Sequence, residues 1–308
     1  MSGEIRSERV HANGLDFHVN TCGEGDRLAL CLHGFPEIGH SWRHVLPVLA
    51  AQGYRAWAPD LRGYGQTDRP AGIDAYAIEH LLDDVGALID ASGARETILL
   101  AHDWGVMIAW PFAAHRVRPL DRLVILNGPP PGMGQQKRRL SLRQLRRSWY
   151  VLFFQLPWLP ERVLAAGDHR AIERVFTGPM AGRPERFTPD DLRAYKEAAA
   201  RPGALTAGID YYRALVRGGG ARRLAERGFP VIETPTLMIW GEQDKVLVPD
   251  TTRDAGNWVR NLTRRFIPGV GHWVQQEAPE EVGEMLVAWL SGDEVPGAAE
   301  PGPGLPPA

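Results

Sequence analysis

Four short stretches of this 308-residue chain carry groups that could do covalent chemistry together. The first is Leu99-Leu100-Ala101-His102-Asp103-Trp104-Gly105, an apolar strand running into a tight turn of small residues with a helical pattern directly behind it. A strained strand-to-helix elbow needs small residues two positions before and two after its nucleophile, because backbone approaches backbone there; Ala101 and Gly105 meet that need. At the centre stands Asp103, where such turns usually carry serine. A carboxylate oxygen attacks an electrophilic carbon and leaves an alkyl ester on the enzyme, which water must then cleave. The chemistry therefore points to epoxides and alkyl halides rather than esters. Taken alone the heptapeptide does not decide, because an aspartate ending a strand is commonly only a turn former or helix cap.

Three further stretches supply what a carboxylate nucleophile lacks: oxyanion donors, a base to activate water, and a carboxylate to orient that base. His33-Gly34-Phe35-Pro36 follows an apolar strand, which makes the Phe35 amide one expected oxyanion donor and the Trp104 amide the other. Trp240-Gly241-Glu242-Gln243-Asp244 ends another strand, and Gly269-Val270-Gly271-His272-Trp273 follows after one more short strand. The chain order Asp103, Asp244, His272 is nucleophile, acid, base. Of the ten histidines, His40, His44, His80 and His115 read as helix-surface or capping residues, and His33 and His102 as supports beside the elbow. Asp60 and Asp121 read as structural carboxylates, and Asn127 cannot serve as one.

These residues need a sheet to bring them together, and the pattern provides one. Apolar β-rich runs at Leu15–Thr21, Leu28–Leu32, Tyr54–Ala58, Thr97–Ala101, Leu123–Leu126 and Thr236–Trp240 alternate with helical periodicity at Trp42–Ala51, Ile78–Ser92, Trp104–His115 and Glu280–Leu290. That alternation predicts an α/β fold, a mostly parallel sheet with helices on both faces. Between Asn127 and Thr236 the rhythm breaks into helical sequence at residues 140–155, 170–176 and 191–200. We expect a helical cap over residues 131–228, inserted after a sheet strand, with Pro129–Pro131 and Gly218–Gly220 as its turns. The core then comprises residues 1–130 and 229–291. Such an insertion lies over the carboxyl ends of the strands, where α/β sites form.

Composition sets the outer bounds. With 44% hydrophobic residues and a net charge of −2, the chain can bury one large core and has no basic field to attract nucleic acid. Small-molecule chemistry fits better. Cys22 and Cys31 lack metal-ligand spacing and read as buried thiols, with a disulfide between them left open. No apolar leader opens the chain and no run of about 18 apolar residues occurs, which predicts a soluble cytoplasmic protein with no membrane partner. The composition leaves a homo-oligomer open. Residues 292–308, rich in Pro, Gly and Ala, are expected to be disordered.

The stretches HGFPEIGHSWRHVLPVLAAQGYRAWAPDLRGYGQTDRP, AHDWG, WYVLFFQLPWLPE, DYYRA, WGEQDKVLVP and GVGHWVQQEAPEEV together resemble the soluble epoxide hydrolases of the α/β-hydrolase fold, over residues 8 to 290. The resemblance implies an enzyme that turns epoxides into vicinal diols without metal or cofactor, taking only epoxide and water. It also implies a pair of cap tyrosines that bind the epoxide oxygen, matched here by Tyr150 and Tyr212. The physical need is clear: ring opening develops an alkoxide, and a phenol with a reference pKa of about 10 can hydrogen-bond or protonate it while staying neutral at pH 7. Tyr211 competes with Tyr212 for that place, and Phe35, Trp104, Trp149 and Phe154 are expected to line the substrate pocket. Ala101 departs from the glycine common in this family, and Val106 follows Gly105.

The early motifs are shared with haloalkane and fluoroacetate dehalogenases, which use the same nucleophile and base. A departing halide needs N–H donors such as an indole; Trp104 could supply one, whereas Phe35 has no side-chain donor. A non-catalytic receptor on the same scaffold is the third reading. It would tolerate loss of the catalytic groups, all of which are present.

Overall fold

The computed structural model describes residues 3–129, 147–247, 249–252 and 254–300. Its first elements form a hairpin of β1 (Arg6–Ala12) and β2 (Leu15–Cys22), joined by Asn13-Gly14 with φ of 49° and 71°. Both turn residues are left-handed, as a two-residue hairpin turn demands. Six strands follow: β3 (Arg27–Leu32), β4 (Arg55–Pro59), β5 (Glu96–His102), β6 (Arg122–Leu126), β7 (Thr236–Gly241) and β8 (Leu262–Ile267). The sheet order is β1-β2-β4-β3-β5-β6-β7-β8, with β2 antiparallel to both neighbours and every other pairing parallel.

Parallel strands need crossover helices, so both faces of this sheet are covered and its central strands are apolar throughout. Leu28, Leu30 and Leu32 of β3 pack in one cluster with Leu99 and Leu123, while Ala29 and Cys31 pack in the other with Leu100, Val124 and Ile239. Helices α1 (Val45–Ala51) and α10 (Pro279–Ser291) cover the second face, and α2 (Ile78–Ser92) and α3 (Trp104–Ala114) the first. Both cysteines are buried free thiols. Among the described residues no helix is long and apolar enough to cross a membrane.

Between β6 and β7 come α4 (Trp149–Phe153), α5 (Leu159–Thr177), α6 (Pro189–Ala200), α7 (Ala204–Val216) and α8 (Gly220–Arg227). Helix α5 is two helices meeting at a break over Ala166–His169. The start of the expected cap, with Pro130, Pro131 and residues 140–146 of the helix expected over residues 140–155, lies outside the described residues.

The expected disorder from residue 292 onward is corrected over residues 292–300. Val295 is buried, its carbonyl accepts from Arg265 Nε at 2.8 Å, and Phe266 N donates to Ala298 O at 2.9 Å. β8 is an edge strand with unpaired backbone groups, and a low-complexity segment of suitable reach can satisfy them. The helix expected from Trp42 begins at Val45, because Gly39–Trp42 winds as a separate 3-10 turn.

The strand register decides where the chemistry gathers. Leu32 pairs with Ala101, His102 with Leu126, Leu126 with Ile239, and Gly241 with Ile267. The residues just beyond these pairs, Gly34, Asp103, Asn127, Asp244 and His272, therefore meet along one edge of the sheet.

Candidate active site

Asp103 sits at the sharp turn between β5 and α3 with φ 49° and ψ −114°, a left-handed conformation that a non-glycine residue adopts only under constraint. The constraint is visible in its neighbours. A Cβ at Gly105 would stand 2.3 Å from Leu32 O, and one at Gly34 would stand 2.3 Å from Asp103 Cβ. Val106 is accommodated because it packs on Gly128, where a Cβ would come within 2.4 Å of Val106 Cγ1. Ala101 is fully buried in the strand without disturbing the turn.

Each oxygen of Asp103 faces a different group. Phe35 N donates to Oδ1 at 2.8 Å, and His272 Nε2 lies 3.4 Å from Oδ2. Trp104 N, the other expected donor, opens α3 beside the carboxylate and makes no bond to it among the described residues. His272 Nδ1 lies 2.8 Å from Asp244 Oδ2, and the Val246 and Leu247 amides donate to Asp244 Oδ1 at 2.7 and 2.8 Å. Burial alone would lower the His272 pKa, but the charges of Asp244 and Asp103 raise it well above its usual value. Burial would likewise raise the Asp103 carboxyl, yet His272, with His102 and the Phe35 amide, holds it below the usual carboxylate range.

Across from this group lies a cavity of about 500 Å³ lined by Asp103 and His272 below and by Tyr150, Phe154 and Tyr212 above. Tyr150 comes from α4 and Tyr212 from α7, with ring centroids 5.8 Å apart. Tyr212 stands edge-on to Trp104 at 5.0 Å and to Phe35 at 5.6 Å. Burial first, then the Asp103 and Asp244 charges, pushes the Tyr150 phenol far above its ordinary pKa. Burial, with Tyr150 and Asp103, does the same to Tyr212, so both phenols keep their protons. Tyr211 is turned away, its hydroxyl donating to Arg62 O at 2.8 Å. Trp149 borders the cavity at its mouth and is 63% exposed.

A profile of the α/β-hydrolase fold matches residues 30–279. The chain is 36% identical over 288 residues to the AB hydrolase superfamily protein YfhM of Bacillus subtilis, covering 93% of this chain and 98% of that one. It is also 36% identical over 288 residues to epoxide hydrolase 3 of Mus musculus, covering 91% of this chain and 75% of that one. An epoxide hydrolase crystal structure from Vigna radiata superposes with a TM-score of 0.80 at 30% identity, over 94% of this chain and 99% of that one. This chain is a member of the epoxide hydrolase family of α/β-hydrolases. In the hydrolase Asp103, His272, Tyr150, Tyr212, Phe35, Trp149 and Phe154 line one cavity, whereas Asp244 stands behind His272 and Trp104, expected in the lining, does not border it. Around them stand His33 and His102, expected as supports, and also Asn127 and Glu37, which the sequence did not mark as supports.

Asn127, dismissed from the sequence as a non-carboxylate, donates from Nδ2 to Asp244 Oδ2 at 2.7 Å and to Gly271 O at 3.2 Å, while its Oδ1 accepts from Gly241 N at 3.0 Å. It ties three strand ends together and orients the acid. Glu37, fully buried, accepts from Gly34 N at 2.9 Å and from the side chains of Gln275 and Gln276 at 3.0 and 2.8 Å. Burial pushes its carboxyl up, but His102 and the Gly34 amide bring it below its ordinary value. His102 spans from Glu37 Oε2 to the His272 carbonyl, 2.8 Å at each end, which makes it a support of the base rather than a base. His33 is fixed in one tautomer: Leu61 N donates to its Nε2 at 2.9 Å, so Nδ1 carries the proton toward Gly34 O. The signal for Asn127 was its place directly after β6, one residue beyond a strand end that faces the acid.

Proposed function

We propose that this hydrolase converts epoxides to vicinal diols through a covalent ester on Asp103. Oδ2 of Asp103 attacks an epoxide carbon, the carbon–oxygen bond breaks, and Tyr150 and Tyr212 hydrogen-bond and protonate the departing oxygen. Esterification removes the Asp103 charge that helps hold the proton on His272. The imidazole surrenders that proton, restores the phenol, and stands neutral beside the ester. It then takes a proton from water, with Asp244 stabilising the cation that forms, and hydroxide adds to the ester carbonyl carbon. The charge developing on the carbonyl oxygen meets the Phe35 amide, with the Trp104 amide as the second donor. Collapse expels the alkoxide, which takes a proton from His272 to complete the diol, and the new Asp103 carboxyl returns its proton to the imidazole, restoring the ion pair. The single observation that supports this reading most is the division of Asp103: one oxygen on a backbone donor, the other toward the base, with two protonated phenols across the cavity.

A dehalogenase would use the same floor, and the phenols are what separate the two readings. The test is His272→Gln mixed with an epoxide and followed by intact-protein mass spectrometry. Ester formation needs no base and ester hydrolysis does, so an adduct equal to the substrate mass should build up on the peptide holding Asp103. Unimpaired steady turnover, or an adduct on another residue, overturns the assignment.

A further inference from the structure

One fully buried carboxylate takes no part in the steps above. Glu277 closes α9 (Val274–Glu277), and its two oxygens accept four backbone N–H bonds. Gly271 N donates to Oε2 at 2.7 Å and Trp273 N to Oε1 at 3.2 Å; these are the residues on either side of His272. Gly182 N and Arg183 N donate to Oε2 at 2.8 and 2.9 Å, and they belong to the cap loop between α5 and α6 that also carries Met180 of the cavity wall. The two loops touch backbone to backbone. A Cβ at Gly182 would stand 2.4 Å from Gly271 N, and one at Gly271 would stand 2.4 Å from Gly182 N and 2.8 Å from Glu277 Oε1.

A carboxylate without water is costly unless donors surround it, so the four amides and the carboxylate stabilise one another and neither loop can leave alone. With His102 holding the His272 carbonyl from the opposite side and Asn127 Nδ2 holding the Gly271 carbonyl, three consecutive peptide groups around the imidazole are pinned. We infer that Glu277 is a positioning residue which sets the His272 imidazole against Asp244 and Asp103 and couples that setting to the cap loop. The inference rests on the proposed function for its kinetic consequence: Glu277 matters to ester hydrolysis and not to ester formation, because only hydrolysis needs the base.

Glu277→Gln keeps the volume but offers one acceptor oxygen and turns an amide N–H toward other donors. In single-turnover mixing, adduct formation on Asp103 should stay within about twofold of wild type while adduct decay slows by on the order of ten- to a hundredfold, the scale expected when a reacting group is misplaced by about 1 Å. Glu277→Asp, one methylene shorter, should recover part of the decay rate, and it carries the test if the glutamine variant fails to fold. In the unreacted protein, amide exchange at Gly182, Arg183, Gly271 and Trp273 should speed up and the His272 imidazole nitrogen signals should shift. Unchanged decay in a folded variant, or equal slowing of both steps, overturns the inference. If the wild type forms no adduct with any epoxide, the proposed function has failed instead. The exchange and imidazole measurements still decide the clamp, and unchanged values in the variant refute it.

Discussion

The floor and the roof of the cavity are held in different ways. Asp103, Asp244 and His272 stand at ends of parallel strands whose register is fixed by backbone ladders, and each meets a second layer of buried partners: the Phe35 amide, Asn127 and His102. The roof has no ladder. Tyr150 rides on the five-residue α4, and its neighbour Tyr212 on α7 is joined to that segment mainly by one side chain. Arg213 donates to Phe154 O at 3.0 Å and Leu156 O at 2.7 Å, and pairs with Glu161 at 2.7 Å and Asp210 at 3.1 Å. The difference teaches that the spacing of Asp103, Asp244 and His272 is built into the sheet, whereas the spacing of the phenols depends on side-chain packing between helices. Substrate selection can therefore change in the roof without disturbing the floor.

The largest effect expected is on the floor. Asp103→Ala should reduce diol formation to background, because it removes the atom that bonds to substrate, while circular dichroism and thermal melting show the fold retained. Substantial turnover by the folded variant ends the covalent reading.

On the roof, Tyr150→Phe and Tyr212→Phe should each slow ring opening by about a hundredfold, since losing one transition-state donor costs on the order of 3 kcal/mol, and the double change should nearly stop it. Decay of a preformed ester should be unaffected in both. If the double variant instead retains most of its activity on a halogenated substrate, the chain is a dehalogenase and the floor keeps its roles.

A smaller loss follows from the joint between the tyrosines. Arg213→Lys keeps the charge but not the planar fork, so the two phenols should lose their common spacing and ring opening should fall by about tenfold, less than removing a phenol outright. Rapid-quench measurement of both half-reactions checks this. Equal losses in both would erase the distinction between floor and roof.

The smallest change is a shift in pH dependence. Where ester hydrolysis limits the rate, kcat rises with pH as His272 in the ester form loses its proton. In the ester form Asp103 carries no charge, so of the two carboxylates that raise the His272 pKa only Asp244 remains, and Asp244→Asn moves that acid limb to lower pH, with a reduced plateau. A limb that stays in place or moves upward contradicts the assignment of Asp244.

The site was legible in the sequence where local chemistry and strand order coincide. Asp103 in its turn of small residues, the HGFP turn after β3 and the aspartate beyond β7 each follow a buried apolar run, while His272 follows the half-exposed β8. Helix α2 kept the boundaries that periodicity gave it, Ile78–Ser92. β1 was not legible, because RSERVHA is a mostly exposed edge strand without apolar alternation. β8 was implied only as a short strand before His272, since LTRRFI buries just its last two residues. The segment after Gly292 misled for the opposite reason: its composition says nothing about the unpaired edge it can reach.

By itself, then, the amino-acid order determined the mostly parallel sheet and the helical insertion after β6, and it singled out Asp103 as the candidate nucleophile, because those depend on hydrophobic period and on residue type at a turn. Only the tertiary structure decided which buried polar groups serve which others. That Asn127 orients Asp244, that His102 and Glu37 brace His272, that Tyr211 faces the core while Tyr212 faces the cavity, and that Glu277 gathers amides from two distant loops are consequences of three-dimensional packing. Such groups are separated by tens to hundreds of positions along the chain, and their need for partners arises only once folding has removed the water.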